Sequence, residues 1–166
     1  MSAYELAQLN IGIIKGPMDS AIMADFAANL DRINALAERS AGFVWRLQTE
    51  DGNATGLRPF DNPNLLVNMS VWKDIDSLHH YVYSPGHVDL MRRRREWFER
   101  MTEAFLVLWW IPKGHRPSIT EATLKLETLR HKGPTADAFT FRSPFPAPHQ
   151  AQAIPPVVYG GECPAT

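Results

Sequence analysis

The sequence has a single cysteine, Cys163, no apolar run long enough to cross a membrane, and no excess of charge of either sign. One thiol cannot form an intramolecular disulfide and cannot complete a metal cage by itself. The longest apolar runs have the length of a strand, far below the roughly 20 residues of a spanning helix. The N-terminus lacks the basic and apolar regions of a signal peptide. We therefore expect a soluble, cytoplasmic protein.

The charge balance limits the partners. The 17 basic and 18 acidic residues give a formal charge of -1 at pH 7. Such a chain has no global field that gathers polyanions, so we expect neither nucleic acid nor a membrane as a partner. With 166 residues, 45% of them hydrophobic, the chain can bury one core. We predict a main domain over residues 1–112, a C-terminal helix and irregular arm of the same domain over 113–148, and a flexible tail over 149–166.

Hydrophobic periodicity predicts four strands and four helices. The predicted strands are residues 6–14, 43–48, 65–72 and 105–111, and the predicted helices are residues 20–40, 74–83, 87–102 and 118–129. A long polar loop over residues 49–63 is of the kind that borders binding sites. The first six elements follow the order strand, helix, strand, strand, helix, strand, which is that of a ferredoxin-like α+β unit. Helices would cover one face of the sheet, and a homodimer would hide the other face.

Polar residues recur on one phase of the predicted strands. Asn10, Arg46, Asn68 and Ser70 alternate with apolar residues, which places them beneath the helices in a shared cavity. Buried polar groups require partners, so these residues either bond one another or address a ligand. The sequence leaves both possibilities open.

The helical stretch after the third strand carries the groups that could perform chemistry. His87, Met91, Arg94 or Arg95, and Phe98 recur at helical spacing and share one face. A histidine at this place suits acid or base catalysis, and a guanidinium suits an anionic oxygen. Arg92 and Arg93 would meet solvent or acidic neighbours.

Several activities are disfavoured because their motifs are missing. Five of the six histidines fall between His79 and His131, yet none stands in a zinc-binding motif. We therefore expect no metal. There is no nucleophile elbow, phosphate-binding glycine loop or dinucleotide fingerprint, which disfavours classical hydrolases, kinases and NAD enzymes.

Five segments resemble a bacterial family of unknown function within the dimeric α+β barrel superfamily, which includes antibiotic-biosynthesis monooxygenase-like proteins. The Trp-Trp-Ile-Pro and Gly-Pro-Thr sequences are typical of the family. The resemblance covers roughly residues 4–148. The segments are residues 72–78, 83–87, 93–98, 108–117 and 133–141.

This resemblance implies a pocket between sheet and helices, used in the superfamily for cofactor-free oxygenation of aromatic polyketides, isomerisation, decarboxylation or haem chemistry. The haem-degrading branch combines an Asn of the first strand with a Trp and a His on the later helices. Asn10 matches, but Tyr81 stands at the Trp position and Met91 at the His position. Haem degradation is thus disfavoured, and haem binding through His87 or His80 stays open.

We hypothesise a homodimeric biosynthetic enzyme acting on an aromatic or polyketide-type metabolite without a cofactor, as a monooxygenase or as an isomerase or cyclase. His87 would be the acid or base, and Arg94 or Arg95 would hold an anionic oxygen. The alternatives are a non-catalytic metabolite-binding dimer and a haem-binding protein. The residues expected to bind substrate are Asn10, Trp45, Asn68, His80, Tyr83, Met91 and Trp109.

Overall fold

The computed structural model describes residues 2–48 and 62–148. Most of the predicted loop over 49–63, the predicted tail over 149–166 and Cys163 lie outside these residues. Among the described helices, each is too short or too polar to cross a lipid bilayer. The strands are β1 (Tyr4–Ile13), β2 (Phe43–Arg46), β3 (Leu65–Trp72) and β4 (Leu106–Pro112). The helices are α1 (Ala24–Arg39), α2 (Ile75–Val82), α3 (Pro85–Arg92), α4 (Arg94–Trp97) and α5 (Ile119–Lys132), and a 3-10 turn (Ala21–Met23) precedes α1.

The sheet has the strand order β2-β3-β1-β4, with every neighbouring pair antiparallel. Each helical connection therefore skips one strand, which is the split β-α-β arrangement of a ferredoxin-like fold. The predicted fold class is confirmed. The register places Asn10 of β1 opposite Asn68 of β3, and Gln8 opposite Ser70. All four side chains thus point to the same face, the one beneath α1 to α3.

The opposite face of the sheet packs against α5. Ser118 caps this helix by accepting a hydrogen bond from the Glu121 backbone N–H. Apolar residues at helical spacing face the sheet: Ala122 and Leu126 are fully buried and Leu129 is nearly so. They join apolar residues of β1, β3 and β4 in one cluster. On the face that we expected to need a second copy, residues of β1, β3 and β4 are thus buried within the chain and Trp45 of β2 is half-buried. The homodimer stays a prediction.

The predicted helix over residues 87–102 is wrong in its second half. The helix is interrupted at Arg93, which is the C-cap of α3 and the N-cap of α4, and α4 ends at Trp97. Phe98 is extended and forms a bridge with Ile14, and the Glu99 N–H donates to the Ile13 carbonyl. The chain leaves the helix because pairing with the end of β1 satisfies these backbone groups.

The regular alternation of a strand is broken at one position in β2. Phe43 lies opposite Trp72, whereas Trp45 lies opposite the adjacent residue Val71, so Val44 is an extra residue in a β-bulge. The bulge puts Phe43 on the helix-covered face. Trp45 turns to the α5 face.

The C-terminal arm runs along the free edge of β4. Phe139 and Leu108 exchange both backbone hydrogen bonds, at 2.8 and 2.9 Å. The indole N–H of Trp110 donates to the Phe145 carbonyl at 2.8 Å. Phe139 is fully buried and Phe141 is 3% exposed. The arm is thereby part of the packed structure up to at least Phe145.

Candidate functional site

A cavity lies between the helix-covered face of the sheet and helices α1 to α4. Its large chamber has a volume of about 100 Å³. An adjoining small chamber has a volume of about 30 Å³. Both chambers are lined by Asn10, Asn34, Arg46, Asn68, Tyr81 and His87.

His87 is the buried titratable group of this wall. It lies in the first turn of α3, two residues after Pro85, and is 8% exposed. Its Nδ1 lies 2.9 Å from the Val82 carbonyl oxygen. A carbonyl can only accept, so Nδ1 carries the proton and Nε2 of the neutral ring is an acceptor. Among the described residues nothing bonds Nε2, which leaves this atom for a molecule in the cavity.

Burial also sets the charge of His87. Desolvation lowers the pKa of the imidazole to about 4, although the hydrogen bond with Val82 acts in the opposite direction. The Tyr81 ring packs edge-on against the imidazole with centroids 4.9 Å apart. Burial likewise raises the pKa of the Tyr81 hydroxyl. At neutral pH the wall therefore presents a neutral imidazole and an un-ionised phenol.

A hydrogen-bond network beneath the cavity orients one amide. The Gln8 Nε2 donates to Asn68 Oδ1 at 3.1 Å and to Ser70 Oγ at 2.9 Å. The Trp72 indole N–H donates to the same Ser70 oxygen at 2.8 Å. With its oxygen held by Gln8, Asn68 has its Nδ2 donor left for the cavity. The side-chain amide of Asn10, opposite in register, has no hydrogen bond to any described residue.

Two arginines line the large chamber. Arg46 extends from β2, and its Nε donates to Glu38 Oε1 of α1 at 2.8 Å. The Arg94 guanidinium lies over the rings of Phe98 and Phe105, 4.8 Å from each centroid. Within the described part of the lining there is no carboxylate. The charged groups that these residues contribute are thus all positive.

The rest of the lining is mainly apolar. Phe26 and Leu30 of α1, Leu90 and Met91 of α3, and Phe98 line the large chamber. The small chamber is closed in part by Phe141 of the C-terminal arm. The arm was predicted only as an irregular extension, so its contribution to the cavity is a finding of the structure.

The structure brings half of the predicted site residues to the cavity. They are Asn10, Asn68, His87, Met91 and Arg94. Their convergence follows from the side-chain periods, which are about two residues in a strand and about 3.6 residues in a helix. The break at Arg93 leaves Arg94 on the cavity side.

The other five predicted residues lie away from it. Trp45 and Trp109 belong to the α5 face, Trp45 because of the bulge in β2, and the Trp109 indole donates to Glu121 at 3.0 Å. His80 is exposed on α2. Tyr83 packs against the ring of His79, with centroids 4.4 Å apart. Arg95 is exposed, and its carbonyl accepts a hydrogen bond from the Lys15 ammonium.

Sequence reasoning did not select Gln8, Asn34 or Tyr81 as site residues. Gln8 has the same strand phase as Asn10, so the alternation contained its signal. Asn34 stands beside the buried Ile33 on α1, at the edge of the apolar stripe. Tyr81 was noticed only as a difference from a haem-degrading pattern. It stacks on Trp72 with centroids 5.0 Å apart, a contact that no local pattern indicates.

Neither a metal nor a haem fits the described site. Within residues 2–48 and 62–148, no three histidine, cysteine or carboxylate side chains are grouped to hold a metal ion. A haem is larger than the drug-sized ligands whose pockets measure about 300–1,000 Å³. The large chamber, at about 100 Å³, is too small for it.

The chain matches a protein family of unknown function. Residues 5–154 match the family described as Domain of unknown function (DUF3291). No curated protein matches the chain. The predicted resemblance to a family of unknown function with monooxygenase-like structural neighbours is confirmed.

Three solved structures illustrate these likenesses, which concern the fold alone. SnoaB, a cofactor-independent oxygenase from Streptomyces nogalater, is 23% identical with a TM-score of 0.46, over 72% of this chain and 100% of that chain. Rv0793 from Mycobacterium tuberculosis is 14% identical with a TM-score of 0.44, over 69% and 99% of the two chains. A candidate antibiotic biosynthesis monooxygenase from Chloroflexus aurantiacus J-10-fl is 12% identical with a TM-score of 0.41, over 69% and 98%.

Proposed function

Because the chain belongs to the DUF3291 family, whose description assigns no activity, we propose a function from the cavity itself. The protein is a small-molecule enzyme that removes a proton from an activated C–H or O–H group of an aromatic metabolite. His87 is the base. The observation that carries this proposal is the His87 ring, which lines the cavity and whose Nδ1 is held by the Val82 carbonyl, so that Nε2 is an acceptor.

Side-chain amides of the sheet supply the hydrogen-bond donors that a base of this kind requires. Proton abstraction leaves negative charge on the ligand, and N–H donors fixed beforehand stabilise such charge as it develops. The Asn68 Nδ2 is available for this role because Gln8 holds the other end of the amide. Arg46 and Arg94 add positive charge to the same lining. This stabilisation is required, since an imidazole with a pKa of about 4 is a weak base.

The chemistry that follows proton removal is cofactor-independent oxygenation. An electron-rich aromatic anion can itself transfer electrons to dioxygen and form a C–O bond, and loss of water from the resulting hydroperoxide gives a carbonyl. The net change at a methylene is R₂CH₂ plus O₂ to R₂CO plus H₂O. Return of the proton to another atom of the same anion would instead give an isomerase, which uses the same residues.

Proton abstraction can be tested without knowledge of the natural substrate. 2-Indanone has one aromatic ring and an activated methylene, whose exchange with deuterium in D₂O is followed by ¹H NMR. We expect the protein to accelerate this exchange, and His87→Gln to lower the rate at least about 100-fold, the usual contribution of a general base. The exposed His80→Gln is the matched control and should retain the parental rate. Oxygen uptake by the same mixture distinguishes oxygenation from isomerisation.

A non-catalytic metabolite-binding protein is the second candidate. The low pKa of His87 favours it, because a neutral imidazole can serve as a hydrogen-bond acceptor without ever taking a proton. This function predicts saturable binding of aromatic probes with no exchange above the protein-free rate. Exchange that is equal in the parental protein and His87→Gln would exclude His87 as the base.

A further inference from the structure

Arg46 belongs to the part of the cavity wall that lines both chambers. It extends from β2 on the helix-covered face, and its side chain is 15% exposed. The Tyr81 hydroxyl is near enough for the Arg46 charge to lower its pKa, against the larger opposing effect of burial. A charge so little exposed is only partly solvated by water, so it requires a counter-ion.

The counter-ion in the structure occupies only one side of this guanidinium. Glu38 accepts from Nε at 2.8 Å and is itself 44% exposed. Among the described residues nothing bonds the two terminal nitrogens of Arg46. A guanidinium presents its donors as a planar fork, which binds the two oxygens of a carboxylate side by side. The unused donors of Arg46 therefore match a carboxylate arriving from the cavity.

The cavity also limits the size of the molecule that carries the carboxylate. An engineered apolar cavity of about 150 Å³ binds benzene. The large chamber, at about 100 Å³, is smaller than this and partly open, so it encloses at most one ring. Phe26, Leu30 and Met91 provide the apolar surface for that ring. A flat polycycle would extend beyond the chamber.

We infer that Arg46 is the carboxylate-binding residue of this cavity, and that its ligand is a single-ring aromatic acid. The inference rests on the proposed function and adds the substrate class to it. The ring occupies the apolar part of the large chamber. The carboxylate bonds the terminal nitrogens of Arg46, and the reacting position of the ligand faces His87 Nε2.

Two isosteric probes test the charge requirement. 4-Fluorobenzoate and its neutral counterpart 4-fluorobenzamide are titrated into the intact protein, and dissociation constants are read from ¹⁹F NMR. We expect the acid to bind at least about tenfold more tightly than the amide, as befits charge-assisted hydrogen bonds. Arg46→Met should abolish this preference, and Arg46→Lys should retain part of it. Arg92→Met removes an exposed arginine of α3 outside the cavity and should leave it unchanged.

Glu38→Gln separates a binding role from a structural one. It removes the competing carboxylate, so acid binding should tighten about threefold or more while amide binding stays constant. If Arg46 serves only to join β2 to α1, Glu38→Gln will lower stability and leave the acid-to-amide ratio unchanged, which overturns the inference. Equal binding of the two probes overturns the carboxylate site alone. If neither probe binds, the proposed function is overturned as well.

Discussion

The imidazole of His87 is controlled by one backbone contact and by its burial. The Val82 carbonyl fixes the tautomer at a distance of 2.9 Å. Burial removes the water that would stabilise the imidazolium, which lowers the pKa to about 4. Both effects come from the two helices that meet at Pro85, since Val82 ends α2 and His87 lies in the first turn of α3. The break between α2 and α3 thus also sets the tautomer and the pKa of His87.

This low pKa has a consequence for stability. Between pH 6.5 and about 4 the unfolded chain binds a proton at His87 and the folded chain does not, so the free energy of unfolding falls as the pH falls. The full difference amounts to roughly 3 kcal/mol. We expect His87→Gln to lose this part of the pH dependence, as measured by urea unfolding between pH 7 and 4.

The control for that measurement is His80→Gln, which changes an exposed histidine and should follow the parental curve. If His87→Gln and the parental protein lose the same free energy over the interval, the imidazole is protonated equally in both states. That result would contradict the burial of His87.

Residue-level prediction worked where a regular period fixed a direction. Asn10 and Asn68 reached the cavity because alternation along a strand is geometric, and His87 with Arg94 because helical spacing placed them together. Arg46 had the correct phase too. Its importance depends on Glu38 of α1, whose side chain holds the guanidinium from outside the cavity. Contacts between elements of this kind have no signature in the local sequence.

At the scale of elements, the end of α4 shows how tertiary contacts override helix propensity. The sequence after Trp97 contains no proline or glycine that would end a helix. It leaves the helix because Phe98 packs over Gly12 of β1 and the backbone pairs with Ile14. The fold class was predictable from the order of periodic segments. This boundary was not, because it depends on a glycine about 85 residues earlier.

Gly12 is required because the Phe98 ring occupies the space of a side chain. A Cβ built on Gly12 would lie 2.6 Å from Phe98 Cδ1 and 2.8 Å from Cε1. The ring cannot move freely, since Phe26 meets it edge-on at 5.2 Å and the Arg94 guanidinium covers it at 4.8 Å. We expect Gly12→Ala to lower the free energy of unfolding by about 1–3 kcal/mol, the usual cost of overpacking. Urea denaturation measures it.

A double variant checks the assigned cause. Phe98→Leu removes the aromatic edge that the new methyl group meets, so Gly12→Ala should cost less in the Phe98→Leu background than in the parental protein. Interacting neighbours deviate from additivity by about 0.5–3 kcal/mol. Strictly additive losses would show that the methyl group acts elsewhere.

At the scale of the whole molecule, α5 covers the β1 and β4 part of the sheet face that a second copy was expected to cover. Both faces of the sheet carry buried side chains, one beneath α1 to α3 and one beneath α5. The N-terminus of α5 is joined to the sheet by Glu121, which accepts from the Trp109 indole at 3.0 Å. The cavity is consequently formed within one chain by all the residues assigned to it.

The coverage of the sheet by α5 predicts how stability should respond to substitution. Leu126 is fully buried against the sheet, whereas Leu124 of the same helix is 62% exposed. Leu126→Ala should lower the free energy of unfolding by about 2–5 kcal/mol, and Leu124→Ala by no more than about 0.5 kcal/mol. An equal loss in the two leucine variants would contradict the packing of α5.

If α5 and not a second copy buries this face, the midpoint of thermal unfolding should stay constant when the protein concentration is raised 100-fold. A midpoint that rises with concentration would indicate a homodimer whose interface contributes to folding.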